Sequence, residues 1–83
     1  MFSFKNKLDP SLRHALLNNL YDNYRVIIHC KSLESKTVNK IKSLKCDIVR
    51  HISSINCICA ILTANVIDRM LEYPQVTYIT FDS

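Results

Sequence analysis

The sequence predicts an α+β domain built on one antiparallel four-stranded sheet with helices packed on a single face. Three observations predict it: stretches with apolar residues at helical spacing, short stretches rich in β-branched residues, and the way the two kinds alternate along the chain. Eighty-three residues, 48% hydrophobic and 22% charged, with no Gly and two Pro, suffice for one core and no more. Folding at this size buries only about 60 to 65% of the unfolded chain's surface, so a partner, a metal or a crosslink would add stability that the core alone supplies thinly.

Asp9-Pro10 opens a first helix, because Pro at the first helical position lacks an amide proton that would find no partner there. Leu12, Leu16, Leu17 and Leu20 then recur at helical spacing, and Asp22-Asn23 ends the run. YRVIIHC, Tyr24 to Cys30, is β-branched and the length of one strand, β1. In SLESKTVNKIKSLK, Leu33, Thr37, Val38, Ile41 and Leu44 gather on one side and Lys36, Lys40 and Lys42 largely on the other, the pattern of an amphipathic helix covering a sheet. Cys46 to Ile52 is expected as β2, Ser53-Ser54 as a short turn and Ile55 to Leu62 as β3, the spacing of a hairpin. Thr63 is the natural N-cap of a further helix running to about Tyr73, with Val66, Ile67, Met70 and Leu71 as its apolar stripe and Asp68 and Arg69 toward solvent, until Pro74 stops it. Val76 to Phe81 is the last strand, β4. From β1 onward the order is βαββαβ, the ferredoxin-like split βαβ arrangement with two helices on one face of the sheet. Residues 1–23 then form an N-terminal helical extension and residues 24–83 the domain proper.

Eleven Lys plus Arg against seven Asp plus Glu leave a net charge of +4, short of a nucleic-acid footprint, with the basic residues scattered along the chain. The densest basic stretch, Lys36, Lys40, Lys42 and Lys45, reads as a solvated helix face. The N-terminus has no unbroken apolar run of the secretory kind, and no stretch approaches the roughly 18 to 20 apolar residues of a membrane span. The expectation is a chain made in the cytoplasm without a signal peptide or membrane contact, its four cysteines Cys30, Cys46, Cys57 and Cys59 free.

Chemistry is thinly represented. Cys57-x-Cys59 places two thiols on one face of β3, with Cys30 on the neighbouring central strand, and three thiolates can hold Zn²⁺ or Cu⁺. Packing of small buried thiols accounts for the same residues, and no metal or cofactor is expected. His14, His29 and His51 lie on different elements with no Ser or Cys at a spacing that argues for a nucleophile and its base. Without Gly there is no phosphate-cradling loop of the usual kind. The chain is therefore read as non-catalytic. RNA-binding domains of this fold stack bases on aromatics of the two central strands, where this chain has Ile27, His29, Cys57, Cys59 and Ile61, so no nucleic-acid partner is expected.

The same positions carry the functional argument. Strands with one face in water should alternate apolar and polar residues cleanly. INCICAIL does not: Ile58, Ala60 and Leu62 share one parity, and Ile55, Cys57, Cys59 and Ile61 the other. In β1, Tyr24, Val26 and Ile28 share one face and Ile27 stands between Arg25 and His29 on the other. The helix-free face is thus expected to offer an apolar patch to another protein, unless the N-terminal helix folds back over it. The alternatives are a small regulatory domain that dimerises through its sheet, or a metal-binding domain.

LTANVIDRMLEYPQVTYITFD resembles the closing half of the propeptide domain of subtilisin-like serine proteases, the inhibitor I9 family, in Leu62, Thr63, Pro74, Val76, Tyr78, Ile79 and Asp82. YRVIIHCKS, the helix after it, DIVRHI and INCICA stand where that family has its first strand, helix and hairpin, so the likeness spans Tyr24 to Asp82. The richness in Asn, Ile and Lys and the missing secretion signal look like the spore-germination branch of those proteases. The resemblance implies a non-catalytic prodomain acting as intramolecular chaperone and bound inhibitor of a catalytic domain, its helix-free face resting on two surface helices of that partner. It implies that carboxylates of the last strand cap those helices; Asp82 matches one capping position, and Thr80 stands where the family often has an acid. The partner-binding set is then Ile27, His29, Cys57, Cys59, Ile61, Tyr78, Thr80 and Asp82, with no catalytic, cofactor or metal residue. In the family a tail follows the matching Asp into the substrate cleft; this sequence ends at Ser83, so the resemblance carries the chaperone interface further than inhibition by a tail.

Overall fold

The computed structural model describes residues 7–82; residues 1–6 of the N-terminal extension and Ser83 at the end of the domain proper lie outside the described residues. The elements are α1 (Pro10–Leu17), β1 (Tyr24–Cys30), α2 (Ser35–Lys42), β2 (Asp47–Ile52), a 3-10 turn (Ser53–Ile55), β3 (Cys57–Leu62), α3 (Ala64–Leu71) and β4 (Val76–Phe81). The strands form one sheet in the order β2-β3-β1-β4, each neighbouring pair antiparallel. That order is the ferredoxin-like split βαβ fold, as the sequence predicts.

Local signals set the helix starts. The Asp9 carboxylate accepts from the amides of Ser11 (3.1 Å) and Leu12 (3.3 Å), with Pro10 in the first turn. The Thr63 hydroxyl accepts from the Val66 amide at 3.4 Å. Caps of this kind each stabilise a helix by about 1 kcal/mol.

Helix and strand ends differ from the sequence reading where the chain turns left-handed. α1 stops at Leu17 rather than near Asp22-Asn23, because Asn19 takes φ 50° and the Asn18 side chain donates to the His14 carbonyl at 2.8 Å. Leu17 and Leu20, which continue the leucine spacing, are consequently 60% and 51% exposed. Likewise β3 begins at Cys57, since Ser53–Ile55 coil into a 3-10 turn closed by Asn56 at φ 53°, and Ile55 is left outside the sheet. In a chain without Gly, Asn is the residue that tolerates this region at least cost.

One hydrophobic cluster lies between the sheet and the helices. It combines Tyr24, Val26 and Ile28 of β1, Ile58, Ala60 and Leu62 of β3 and Ile79 of β4 with Ile41 of α2 and Ile67, Met70 and Leu71 of α3. Leu12, Ala15 and Leu16 of α1 belong to the same cluster. The N-terminal helix therefore joins the helix layer and does not fold over the other face. Its position is fixed at both ends: the Tyr24 hydroxyl donates to the Ala15 carbonyl at 3.3 Å, and Leu8 bridges Ile79 in parallel with the Asp9 amide donating to the Ile79 carbonyl at 3.0 Å. Lys7 Nζ reaches the carbonyls of Leu71 (3.1 Å) and Tyr73 (3.4 Å), where α3 ends and its last carbonyls have no helical partner. Leu8, Leu12, Ala15 and Leu16 thus build this segment into the core of the domain, while the residues from Leu17 to Asn23 stay exposed.

Because Leu12 is fully buried, Leu12→Ala is expected to lower the unfolding free energy by about 2 to 4 kcal/mol in urea titrations. A loss below about 1 kcal/mol would mean that α1 is a loosely attached appendage.

Candidate docking face on the helix-free side of the sheet

Strand register brings the expected partner-binding residues onto one surface in three cross-strand rows. Ile52, Cys57, His29 and Tyr78 form one row, Arg50, Cys59, Ile27 and Thr80 the next, and Asp47, Ile61 and Arg25 the third. Asp82 completes the third row, its amide donating to the Arg25 carbonyl at 3.0 Å. None of these residues belongs to the cluster under the helices, and no described helix contributes to this side. Apolar side chains occupy the middle, with Asp47, Arg50, Thr80 and Asp82 around them.

Two members of the set sit differently from their sequence reading. Cys57 and Cys59 have no exposed surface although nothing described lies over them. They are short side chains on a central strand, flanked by taller Ile27 and His29 on β1 and by Arg50 and Ile52 on β2. They form the floor of the face and offer no area of their own; the half-buried Ile27, His29, Ile61, Tyr78, Thr80 and Asp82 are its surface. Asp82 is not free either, since its Oδ2 accepts from Arg25 Nε at 2.8 Å.

Sequence reasoning missed Ile52, Arg50 and Asp47 as members of this face. A β-bulge between Ile48 and Arg50 switches the parity of β2, so that Ile48 pairs beside Ala60 on the helix side while Arg50 and Ile52 pair beside Cys59 and Cys57 on the other. The imperfect alternation of CDIVRHI was the available signal.

The sequence also gave no sign that Cys57 Sγ lies 3.2 Å from His29 Nδ1, across the β1–β3 pairing. A thiol and an imidazole at this distance resemble a nucleophile with its base, but burial, and then the nearby Cys59, push the Cys57 thiol up from its ordinary range. An activated cysteine needs the opposite shift. The Cys57 thiol also lies 3.4 Å from the Ile55 carbonyl, so the contact with His29 reads as hydrogen bonding that closes the floor. Cys30 belongs to the cluster beneath the helices and is pushed up to about 11, by burial first and then by Cys57. Burial also raises Cys46, with Asp47 adding to it. Among the described residues no group of three or more His, Cys, Asp or Glu is placed to hold a metal ion, and no helix is long and apolar enough to cross a membrane.

The fold and this face define an α+β domain of ferredoxin-like topology with one side of its sheet uncovered by any described element. The chain matches no protein-family model, no curated protein and no solved structure.

The raised Cys30 gives a pH dependence of defined sign. Unfolded, the thiol loses its proton near its ordinary value of 9.0, while folded it keeps it until about 11. The unfolded state therefore binds fewer protons in that interval, and the stability from Cys30, complete below pH 9, is lost as pH rises through the window. Urea titrations of the wild type and Cys30→Ala between pH 8 and 11 are expected to show a steeper alkaline decline in the wild type; parallel declines would remove Cys30 as the cause.

Proposed function

We propose that this chain is a non-catalytic prodomain that docks through its helix-free sheet face on the catalytic domain of a subtilisin-like serine protease, templating the folding of that partner and remaining bound as its inhibitor. The observation that carries the docking role is the gathering of Ile27, Ile61, Tyr78, Thr80 and Asp82 on one face that no described element covers. The choice of partner rests on the resemblance of Leu62 to Asp82 to the propeptide pattern. Within that reading, the richness in Asn, Ile and Lys fits the spore-germination branch.

The geometry of Asp82 is compatible with a capping role. The Arg25 side chain is 52% exposed and that of Asp82 12%, so a helix N-terminus would take the carboxylate by displacing the solvent-facing guanidinium, one charge-assisted contact replacing another. Thr80, beside Ile27 on the same face, supplies a hydroxyl for a second helix end.

The test mixes the chain with a denatured subtilisin-like catalytic domain and follows recovery of peptidase activity, complex formation by light scattering, and inhibition by excess chain. A monomeric chain, a one-to-one complex and faster recovery are expected. Ile61→Asp, a charge on the half-buried row between Asp47 and Arg25, is expected to keep the circular dichroism of the wild type and to weaken the complex by about a hundredfold or more. A chain that is already a homodimer, and that Ile61→Asp splits into monomers, would overturn the reading in favour of a sheet-mediated regulatory dimer.

A further inference from the structure

The net charge of the protein has a single source. The ten residues from Lys36 to Lys45 hold four Lys and no acid, and the rest of the chain carries seven basic and seven acidic residues, so this stretch accounts for the whole +4. It comprises most of α2 and the turn after it, on the side of the domain away from the proposed docking face.

There the charges meet a groove. One cavity of about 240 Å³ is lined by Ser43, Leu44, Lys45, Asn65, Val66 and Arg69. A second, of about 260 Å³, shares Leu44 and Arg69 with it and adds Lys40, with Glu72 closing its far end. Together they run along α3 beside the end of α2. Half-buried Leu44 and Val66 give an apolar floor, and Lys40, Lys45 and Arg69 stand around it. Among the described residues none of these three cations has an ion-pair partner. Lys45 holds its place in the left-handed region, φ 57°, where Asn serves at the two other such positions.

We propose that this groove binds an acidic peptide segment carrying an apolar side chain, the acids facing Lys40, Lys45 and Arg69 and the apolar group resting on Leu44. The reading is independent of the prodomain proposal. Charge complementarity selects the partner's sign, and the surroundings select its class. A membrane surface would need large apolar side chains projecting beside the cations, yet the exposed ones, Leu17, Leu20, Tyr21, Val49 and Ile55, lie on other elements. Single-stranded nucleic acid would need a row of aromatic platforms, and Tyr73 alone lines the groove. Eight residues of α3 make a groove about 12 Å long, the span of about four residues of extended chain. The concentrated charge speeds encounter and makes binding salt-dependent.

The test uses a fluorescein-labelled octapeptide of two Glu-Glu-Leu-Glu repeats, followed by anisotropy at low and physiological salt and by amide shifts of the labelled protein. Shifts are expected at Ser43, Leu44, Lys45, Asn65, Val66 and Arg69. The double variant Lys45→Gln with Arg69→Gln is expected to bind about tenfold more weakly. Arg13→Gln with Lys31→Gln removes the same net charge elsewhere and is expected to bind like the wild type. Both pairs are compared by amide spectra for retained fold, and the shift map on the wild type stands without any variant. Equal losses in the two double variants, shifts away from the groove, no binding at low salt, or tighter binding of a uridine octanucleotide than of the peptide would each overturn the proposal.

Discussion

The apolar layer between one face of the sheet and three helices is the constraint from which the other features follow. Each helix is eight residues long, well below the roughly 12 to 15 at which isolated helices become even marginal in water. None would persist without the side chains it buries: Leu12, Ala15 and Leu16 from α1, Ile41 from α2, and Ile67, Met70 and Leu71 from α3. Their sites are the positions that Tyr24, Val26, Ile28, Ile58 and Ile79 present on the same side. Once all three helices are committed to that face, nothing in residues 7–82 is left to cover the other. The bare face is thus a consequence of where the core is.

Association through the sheet edges is hindered on both sides. Leu8 lies along β4 through its bridge to Ile79, and the Asp9 amide takes the Ile79 carbonyl. On the other edge, β2 carries a bulge between Ile48 and Arg50 and the charges of Asp47 and Arg50. Bulges and charges are recognised ways of discouraging strand addition. The face is accordingly a better candidate for protein contact than either edge, and this separates lateral docking on a flat surface from β-augmentation.

Much of this was legible in the sequence because period-two and period-3.6 patterns are local. YRVIIHC named its two faces correctly, Asp9-Pro10 and Thr63 marked helix starts, and Ile27, Ile61, Tyr78, Thr80 and Asp82 came out on the predicted side. Strand parity tells which side a residue takes, but not how tall its neighbours are, which is why Cys57 and Cys59 emerged as a floor. A bulge adds one residue without a compositional mark, so the parity of β2 past Ile48 was hidden. The destination of α1 was hidden too, since its leucines suit either face, and its choice is made by Leu8 at the edge of β4 and by the Tyr24 hydroxyl. The Arg25–Asp82 pair joins residues 57 apart in the chain, beyond any local pattern.

The dimensions of the face bear on how a partner must sit. Four strands spaced about 4.8 Å apart span about 19 Å, and six residues of strand run about 20 Å. The flat footprint is therefore about 400 Å², half of the roughly 800 Å² each side contributes to a stable interface of standard size. A tight complex must reach past the sheet. The β2 side offers exposed Val49 beside the bulge. The β4 side offers more, because an open cavity of about 510 Å³ lined by Asp9, Tyr21, Thr80, Phe81 and Asp82 adjoins the face there. Tyr21 rests edge-on against Tyr24 and Phe81, with ring centres 5.6 and 6.5 Å away, and keeps 57% of its surface exposed. A partner that covers Ile27 and Ile61 and continues over Thr80 and Asp82 would meet this ring next, so the extra area lies on the side where the sheet's last carboxylate stands. That asymmetry favours a partner aligned with the end of β4 over one centred on the sheet.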